Sequence, residues 1–273
     1  MDRSIIYYGW APDLPDHRDF AYAAPAALLP TLPKKVDLRE HCPAVYDQGQ
    51  LGSCTANAIA GAFQFGLMKQ HAASFVPSRL FIYYNERVME HTVQIDSGAQ
   101  IRDGIKSVDK QGVCHEKNWP YLISKFTQKP TSPCYEKALK HQLLSYQRVP
   151  TDLNHLLGCL AEGYPFVFGF SVYESFESAE VAKTGVVPMP TLNEQMVGGH
   201  AVLAVGYDST SKRFIVRNSW GNKWGQKGYF TIPFQYLTNS NLADDFWTLR
   251  LLEENPELIK KKVLRGKSKG EAL

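Results

Sequence analysis

The spacing of apolar residues changes part-way along this chain, and that change limits the fold more than any other feature. In SCTANAIAGAFQFGLMKQ, residues 53–70, apolar side chains recur at 56, 59, 60, 63 and 67. That is the 3.6-residue period of a helix buried among small side chains. Similar patterns predict helices over 78–90 after Pro77, over 99–111 ended by Gly112, and over 152–162 with Thr151 as cap and Gly163 as terminator. Beyond them the chain reads PFVFGFSV, HAVLAVGYD, RFIVRNSW and GYFTIPF, short β-branched and aromatic runs bounded by Gly, Pro or polar turns. Helices first and strands second predict an α+β chain of two lobes, the second mostly antiparallel. The α lobe is expected over about 32–150 and the β lobe over about 151–250.

The flanks follow neither pattern. Residues 1–31 carry prolines at 12, 15, 25 and 30, which predicts an extended arm docked on the body or lying beside a cleft. Residues 251–273 mix acids with a Lys/Arg run and hold too little apolar surface for a domain. They read as a charged tail in which Asn255–Pro256 can cap a short helix.

With 44 % apolar and 21 % charged residues in 273, the chain can bury a substantial core. A net charge of +3 is too mild to call for nucleic acid. The first twenty residues lack an apolar core of signal-peptide length, and no run of eighteen apolar residues occurs. The expectations are therefore no membrane association, and a cytoplasmic protein or one exported without such a signal. Five cysteines, at 42, 54, 114, 134 and 159, form no CxxC pair and no cluster with histidine at zinc spacing. No metal and no cofactor are expected. Pairing among Cys42, Cys114, Cys134 and Cys159 is open, with free thiols as the default.

Cys54 stands apart by position. A lone cysteine in an apolar helix is usually inert packing. In the first turn of a helix, however, free backbone N–H groups favour a thiolate and can also receive the oxyanion of an attacked carbonyl. A nucleophile needs a base, and the base an orienting partner. Of eight histidines, His200 opens a strong strand after two glycines, whereas His155 falls in an amphipathic helix and reads as surface or packing. Asn218 ends the next strand, and its side-chain oxygen can hold an imidazole N–H without a second charge. Trp220 is placed to shield that bond from water. Gln48 precedes Cys54 by six residues across a loop containing Gly49 and Gly52, which can bend its amide back toward the helix start.

These stretches together resemble the papain-like cysteine peptidases. The resemblance rests on LPKKVDLR at 32–39, QGQLGSC at 48–54, SGAQIRDGI at 97–105, WPY at 119–121, GHAVLAVGY at 199–207 and NSWGNKWGQKGY at 218–229. It covers roughly residues 32–235. It implies a two-lobed fold with Cys54 on the central helix facing His200 and Asn218. The pair is expected to rest as thiolate and imidazolium, to form an acyl-thioester, and to use Gln48 in the oxyanion hole. It also implies that an extended substrate pairs with Gly98, next to Ser97. Gly199 would then border the pocket for the second residue upstream of the cut bond, leaving room for a bulky group, with Met196 or Val167 as wall; Trp220 completes the substrate-facing set. Peptide or protein substrates, protein inhibitors and a monomeric state follow from the same resemblance. The chain departs from the animal and plant pattern at Leu51, where those enzymes carry a disulfide cysteine, at Thr55 and at Leu38. In these respects it is closer to bacterial members, in which an amino-terminal stretch can lie over the cleft. An inactive binding homologue, or a cysteine amidase or acyl transferase using the same Cys–His pair, is the competing reading.

Overall fold

The computed structural model describes residues 8–252, with the side chains of the last two left aside; the helix expected in the tail lies outside the described residues. Helices α1 (Cys54–Lys69), α2 (Arg79–Met89), α3 (Ile101–Gln111), α4 (Ser132–Ala138), α5 (Leu153–Ala161), α6 (Ala179–Thr184) and α7 (Phe234–Leu237) alternate with nine strands. The strands are β1 (Trp10–Ala11), β2 (Lys35–Asp37), β3 (Ala99–Gln100), β4 (Leu143–Arg148), β5 (Phe166–Tyr173), β6 (Met196–Asp208), β7 (Arg213–Arg217), β8 (Tyr229–Pro233) and β9 (Ala243–Leu252).

The four helices expected from periodicity form within two residues of their expected ends. Ser78 caps α2 by accepting the Phe81 amide, and Asp152, not Thr151, caps α5 by accepting the amides of Asn154 and His155. Asp152 wins because its carboxylate also complements the dipole at that helix start. The short helices α4 and α6 and the strands β4 and β9 carry too little periodicity to be seen in the sequence; long-range pairing makes the strands.

Seven strands form one sheet in the order β4-β9-β5-β6-β7-β8, with β2 pairing β6. Every pair in it is antiparallel. The sheet includes β4 from Leu143 onward, and it recruits Lys35–Asp37 from the amino-terminal side. Two apolar cores result. One gathers α1, α2 and α3 with the inner face of β6 and Trp247 of β9. The other is a phenylalanine-rich core within the β lobe, built from Phe166, Phe168, Phe170, Phe214, Phe230 and Phe246 among others. Helix α1 is buried on nearly all sides, which explains its small residues: Ala56, Ala60 and Gly61 let the sheet and two helices approach its backbone. Its first residue, Cys54, thereby reaches the seam between the lobes. Among the described residues all five cysteines are free thiols, and no helix is long and apolar enough to cross a membrane.

Candidate active site

Cys54 is the first residue of α1 and is fully buried. The Ala201 amide donates to its sulfur at 3.3 Å. Ala201 follows His200 on β6, so the residue after the candidate base touches the candidate nucleophile. The β6–β7 ladder sets Leu203 opposite Arg217, so Asn218, one residue on, comes level with Val202, two residues from His200. His200 Nε2 lies 2.8 Å from Asn218 Oδ1. Trp220 covers this pair, with its ring centroid 5.0 Å from that of the imidazole and tilted by 31°. It is only 5 % exposed and packs on Phe176 and Trp224.

Gln48 is held from the opposite side. Its backbone N–H donates to the Ser219 carbonyl at 2.9 Å, and Asp47 bridges Trp220, which ties the loop to the NSWG turn. Its side-chain amide donates to the Leu51 carbonyl at 2.9 Å, and its Oε1 accepts Ser219 Oγ at 2.6 Å. Ser219, buried beside Asn218, orients Gln48; nothing in the sequence singled it out. Tyr121 of WPY braces the same loop. Its hydroxyl donates to the Gln48 carbonyl at 2.9 Å and meets Ser53 Oγ at 2.5 Å.

The loop before α1 lacks the disulfide of many relatives, and hydrogen bonds take its place. The Gly52 amide donates to both carboxylate oxygens of Asp96, at 3.1 and 2.9 Å, and Tyr83 donates its hydroxyl to the same group. Leu51, 2 % exposed, packs beneath. From α2, the buried Arg87 donates to the carbonyls of Val93, Ile95 and Phe126, which holds the segment leading to Ser97 and Gly98. Thr55 Oγ1 donates to Glu86 at 2.6 Å, under the first turn of α1. Burial raises the Glu86 carboxyl well above its usual range, against the pull of the Thr55 contact, and so favours the protonated form.

The arm enters the cleft between the lobes. β1 pairs with β3 in parallel, Trp10 opposite Ala99, and the Ala99 amide donates to the Gly9 carbonyl at 2.8 Å. This ladder falls one residue beyond Gly98, whose own N–H is directed at the Tyr83 hydroxyl. Gly98 serves a different need: at φ +71° a side chain is disfavoured, and a Cβ there would stand 2.3 Å from the Gly9 carbonyl oxygen. Ser97 is turned to Thr92 and to the Gly98 carbonyl. Gly9 presses on the nucleophile loop, since a Cβ on it would lie 1.7 Å from the Gly52 carbonyl oxygen. Its backbone N–H, with those of Ala201 and Thr55, faces the Cys54 sulfur.

Trp10 fills a slot in the β-lobe wall. Cβ atoms on Gly169 and Gly199 would fall 1.9 and 2.8 Å from its indole. The space beside Gly199, where a substrate pocket is expected, holds the Trp10 indole. Of the two expected wall residues, Val167 is wholly buried and Met196 is 61 % exposed. Tyr8 closes the other side, against His200 and Trp220 at 5.9 and 6.5 Å between ring centroids.

This cover changes the electrostatics expected of a helix start. Burial pushes the Cys54 thiol up to about 12, and the three N–H groups only partly offset it. With the arm docked, burial works against the thiolate that the helix start favours. Desolvation of a fully buried charge outweighs a helix terminus. His155 stays outside the site, paired with Asp152 at 3.0 Å.

Comparison with known proteins agrees with this geometry. A model of the papain family cysteine proteases matches residues 32–246. The chain is 47 % identical to the crystal structure of xylellain, a cysteine protease from Xylella fastidiosa, with a TM-score of 0.85 over 89 % of this chain and 95 % of that one. It is 45 % identical to a peptidase C1-like protein, L477, of Acanthamoeba polyphaga mimivirus, over 92 % of this chain and 89 % of the relative. A cathepsin B-like protein of Giardia intestinalis, CP3, is 31 % identical over 73 % of this chain and 69 % of its own. The two-lobed α+β fold and the resemblance read from the motifs both hold, and the chain belongs to the papain family of cysteine proteases.

Proposed function

We propose that Cys54, His200, Asn218 and Gln48 carry out the peptide hydrolysis of this cysteine endopeptidase, and that the arm holds the cleft closed until it is displaced. The observation that carries the first part is the 2.8 Å bond from Asn218 to His200 Nε2, with Cys54 held against the residue next to that histidine. With Nε2 committed to Asn218, proton exchange with the thiol falls to Nδ1. Once the cleft is open and hydrated, Cys54 passes its proton to that nitrogen and the thiolate attacks the scissile carbonyl carbon. The oxyanion is received by the Cys54 backbone N–H and by the second amide hydrogen of Gln48, the first being given to Leu51. The imidazolium then protonates the leaving amine. Water, deprotonated by His200, hydrolyses the thioester and returns the thiol.

The second part is supported by the Gly9 amide facing Cys54. Its N–H is turned to the sulfur, and Gly9 packs on the Gly52 carbonyl, so the arm covers the nucleophile. The substrate is a peptide or protein. The same reading makes the protein a monomer, without nucleic-acid partners, and makes cleft-filling protein inhibitors its second partner class.

The test is Gly9→Ala in the full chain, whose added Cβ cannot coexist with the Gly52 carbonyl. An epoxide-type thiol reagent is expected to label Cys54 at least tenfold faster in this variant, with peptide hydrolysis rising in step. Equal labelling rates would end the gating proposal. Hydrolysis that persists in Cys54→Ala would end the nucleophile assignment.

A further inference from the structure

The two groups assigned to the oxyanion, the Gln48 side chain and the Cys54 backbone N–H, hang from peptide units that one buried arginine reaches. Arg79, the first residue of α2, is 8 % exposed. Its Nη1 donates at 3.0 Å to the Asp47 carbonyl, the oxygen of the peptide unit that begins Gln48. The N–H of that unit is held from the β lobe by the Ser219 carbonyl. The same Nη1 donates to Asn57 Oδ1 at 3.2 Å. Asn57, one turn into α1, donates its Nδ2 to the Ser53 carbonyl at 2.9 Å and to Ser53 Oγ at 3.0 Å. The Ser53 carbonyl and the Cys54 N–H belong to one peptide unit.

The guanidinium is itself fixed in place. Its Nε and Nη2 donate side by side to the Glu116 carboxylate, at 2.8 and 2.6 Å. Its carbon lies over the rings of Tyr46 and Tyr121, 4.9 and 4.1 Å from their centroids. A planar fork paired with a carboxylate along one edge and faced by two rings keeps one orientation.

We infer that Arg79 is a positioning residue for hydrolysis, setting the separation of the Gln48 amide and the Cys54 N–H and, through Asn57, polarising the latter. The inference rests on the cysteine-peptidase reading of the site. The loop between the two donors contains Gly49 and Gly52, which give it no stiffness of its own. Arg79 spans its two ends. A hydrogen bond into the Ser53 carbonyl, from an amide that is itself bonded to a cation, draws electron density away from the N–H of the same peptide unit. That N–H becomes a stronger donor to a developing negative charge. Neither effect serves alkylation of the thiol, which forms no oxyanion. Lysine keeps the charge but, as a point donor, cannot meet Glu116, Asp47 and Asn57 together.

The experiment places Arg79→Lys in the full chain carrying Gly9→Ala, and reads kcat and KM on a fluorogenic peptide amide beside the rate of Cys54 alkylation by iodoacetamide. The expected result is a kcat lowered by about 10- to 100-fold, with KM and the alkylation rate within about twofold of the Gly9→Ala chain. Added to Gln48→Ala, the same change should cost less than it does alone, because one of the two donors it aims is already gone. Glu116→Gln, at a more exposed position, carries the test should Arg79→Lys not fold: kcat is expected to fall by about threefold or more with alkylation unchanged. Parallel losses in kcat and alkylation are the mark of a purely structural role and overturn the inference. An unchanged kcat, or full additivity with Gln48→Ala, overturns it too, and all three leave the peptidase assignment standing. A Gly9→Ala chain that cleaves no peptide and takes no label at Cys54 overturns the peptidase reading, and this one with it.

Discussion

Asp96 grips the Gly52 amide with both carboxylate oxygens, at 3.1 and 2.9 Å, across 44 positions of chain. It thereby fastens the loop that delivers Cys54 to the loop that leads into β3, where the arm pairs with Ala99. At Leu51, where the chain departs from the animal and plant pattern, a carboxylate ties the loop, and among the described residues every cysteine is a free thiol.

Asp96→Ala, in the Gly9→Ala background, should lower kcat/KM by about 10- to 100-fold, since displacements near 1 Å at a reacting centre cost that much. Losing a charge-assisted bond of this kind should also reduce unfolding free energy by about 1–3 kcal/mol. Asp96→Asn, which keeps one acceptor, should fall between. Denaturant unfolding and peptide kinetics on the same samples check both.

Arm docking should weaken as pH rises. Asp13 is buried where the arm meets β9: its Oδ1 accepts the Arg102 amide at 3.0 Å and its Oδ2 the Trp247 indole N–H at 2.8 Å. Burial first, and the neighbouring Asp245 second, push its carboxyl up to about 7, against the pull of the Arg102 and Trp247 contacts. Burial also raises Asp245, with Asp244 adding to it and Arg148 opposing. On the arm side Asp19 pairs with Arg102 at 2.6 Å and with Arg148 at 3.6 Å. A released arm has an ordinary Asp13, near 3.9, so the docked state binds the extra proton. Docking is then fully favoured below about pH 4 and loses strength as pH rises through about 7. Alkylation of Cys54 in the wild-type chain, corrected for the reagent's own thiol pH dependence, should accelerate over that window. Asp13→Asn should flatten the rise.

Gln48→Ala, again with Gly9→Ala, should cut kcat by about 10²–10³-fold with little change in KM, the pattern of a donor used only as the oxyanion forms. An equal loss in labelling by an alkylating agent, which forms no oxyanion, would contradict that role.

Glu86 should behave as a neutral hydrogen-bonding group. Its raised carboxyl means that Glu86→Gln, which preserves the contact with Thr55, costs under about 1 kcal/mol. Glu86→Ala leaves Thr55 unpaired next to a cavity and should cost about 2–4 kcal/mol. Because the folded-state pKa lies above the unfolded one, the contribution of Glu86 is fully present in acid and declines toward alkaline pH. Chemical denaturation of the two variants from pH 5 to 9 measures this.

Local sequence determined the helices α1, α2, α3 and α5, the strands β5 to β8, and the residues Gln48, Cys54, His200 and Asn218 with the order in which they come. Each of these is announced within a few residues, by a repeating apolar spacing or by a glycine-flanked polar group at the end of an element. Tertiary structure alone decided what lies against them. Asp96, Asp245 and Ser219 are ordinary polar residues in the chain, and each meets its partner, a backbone amide, an indole or a side-chain amide, 44 to 235 positions away. The docked state of Cys54 is of the same kind. A helix start argues for a thiolate, but Gly9, distant in sequence, removes the water that a thiolate requires. Desolvation depends on everything packed around a group, which no short stretch of sequence contains.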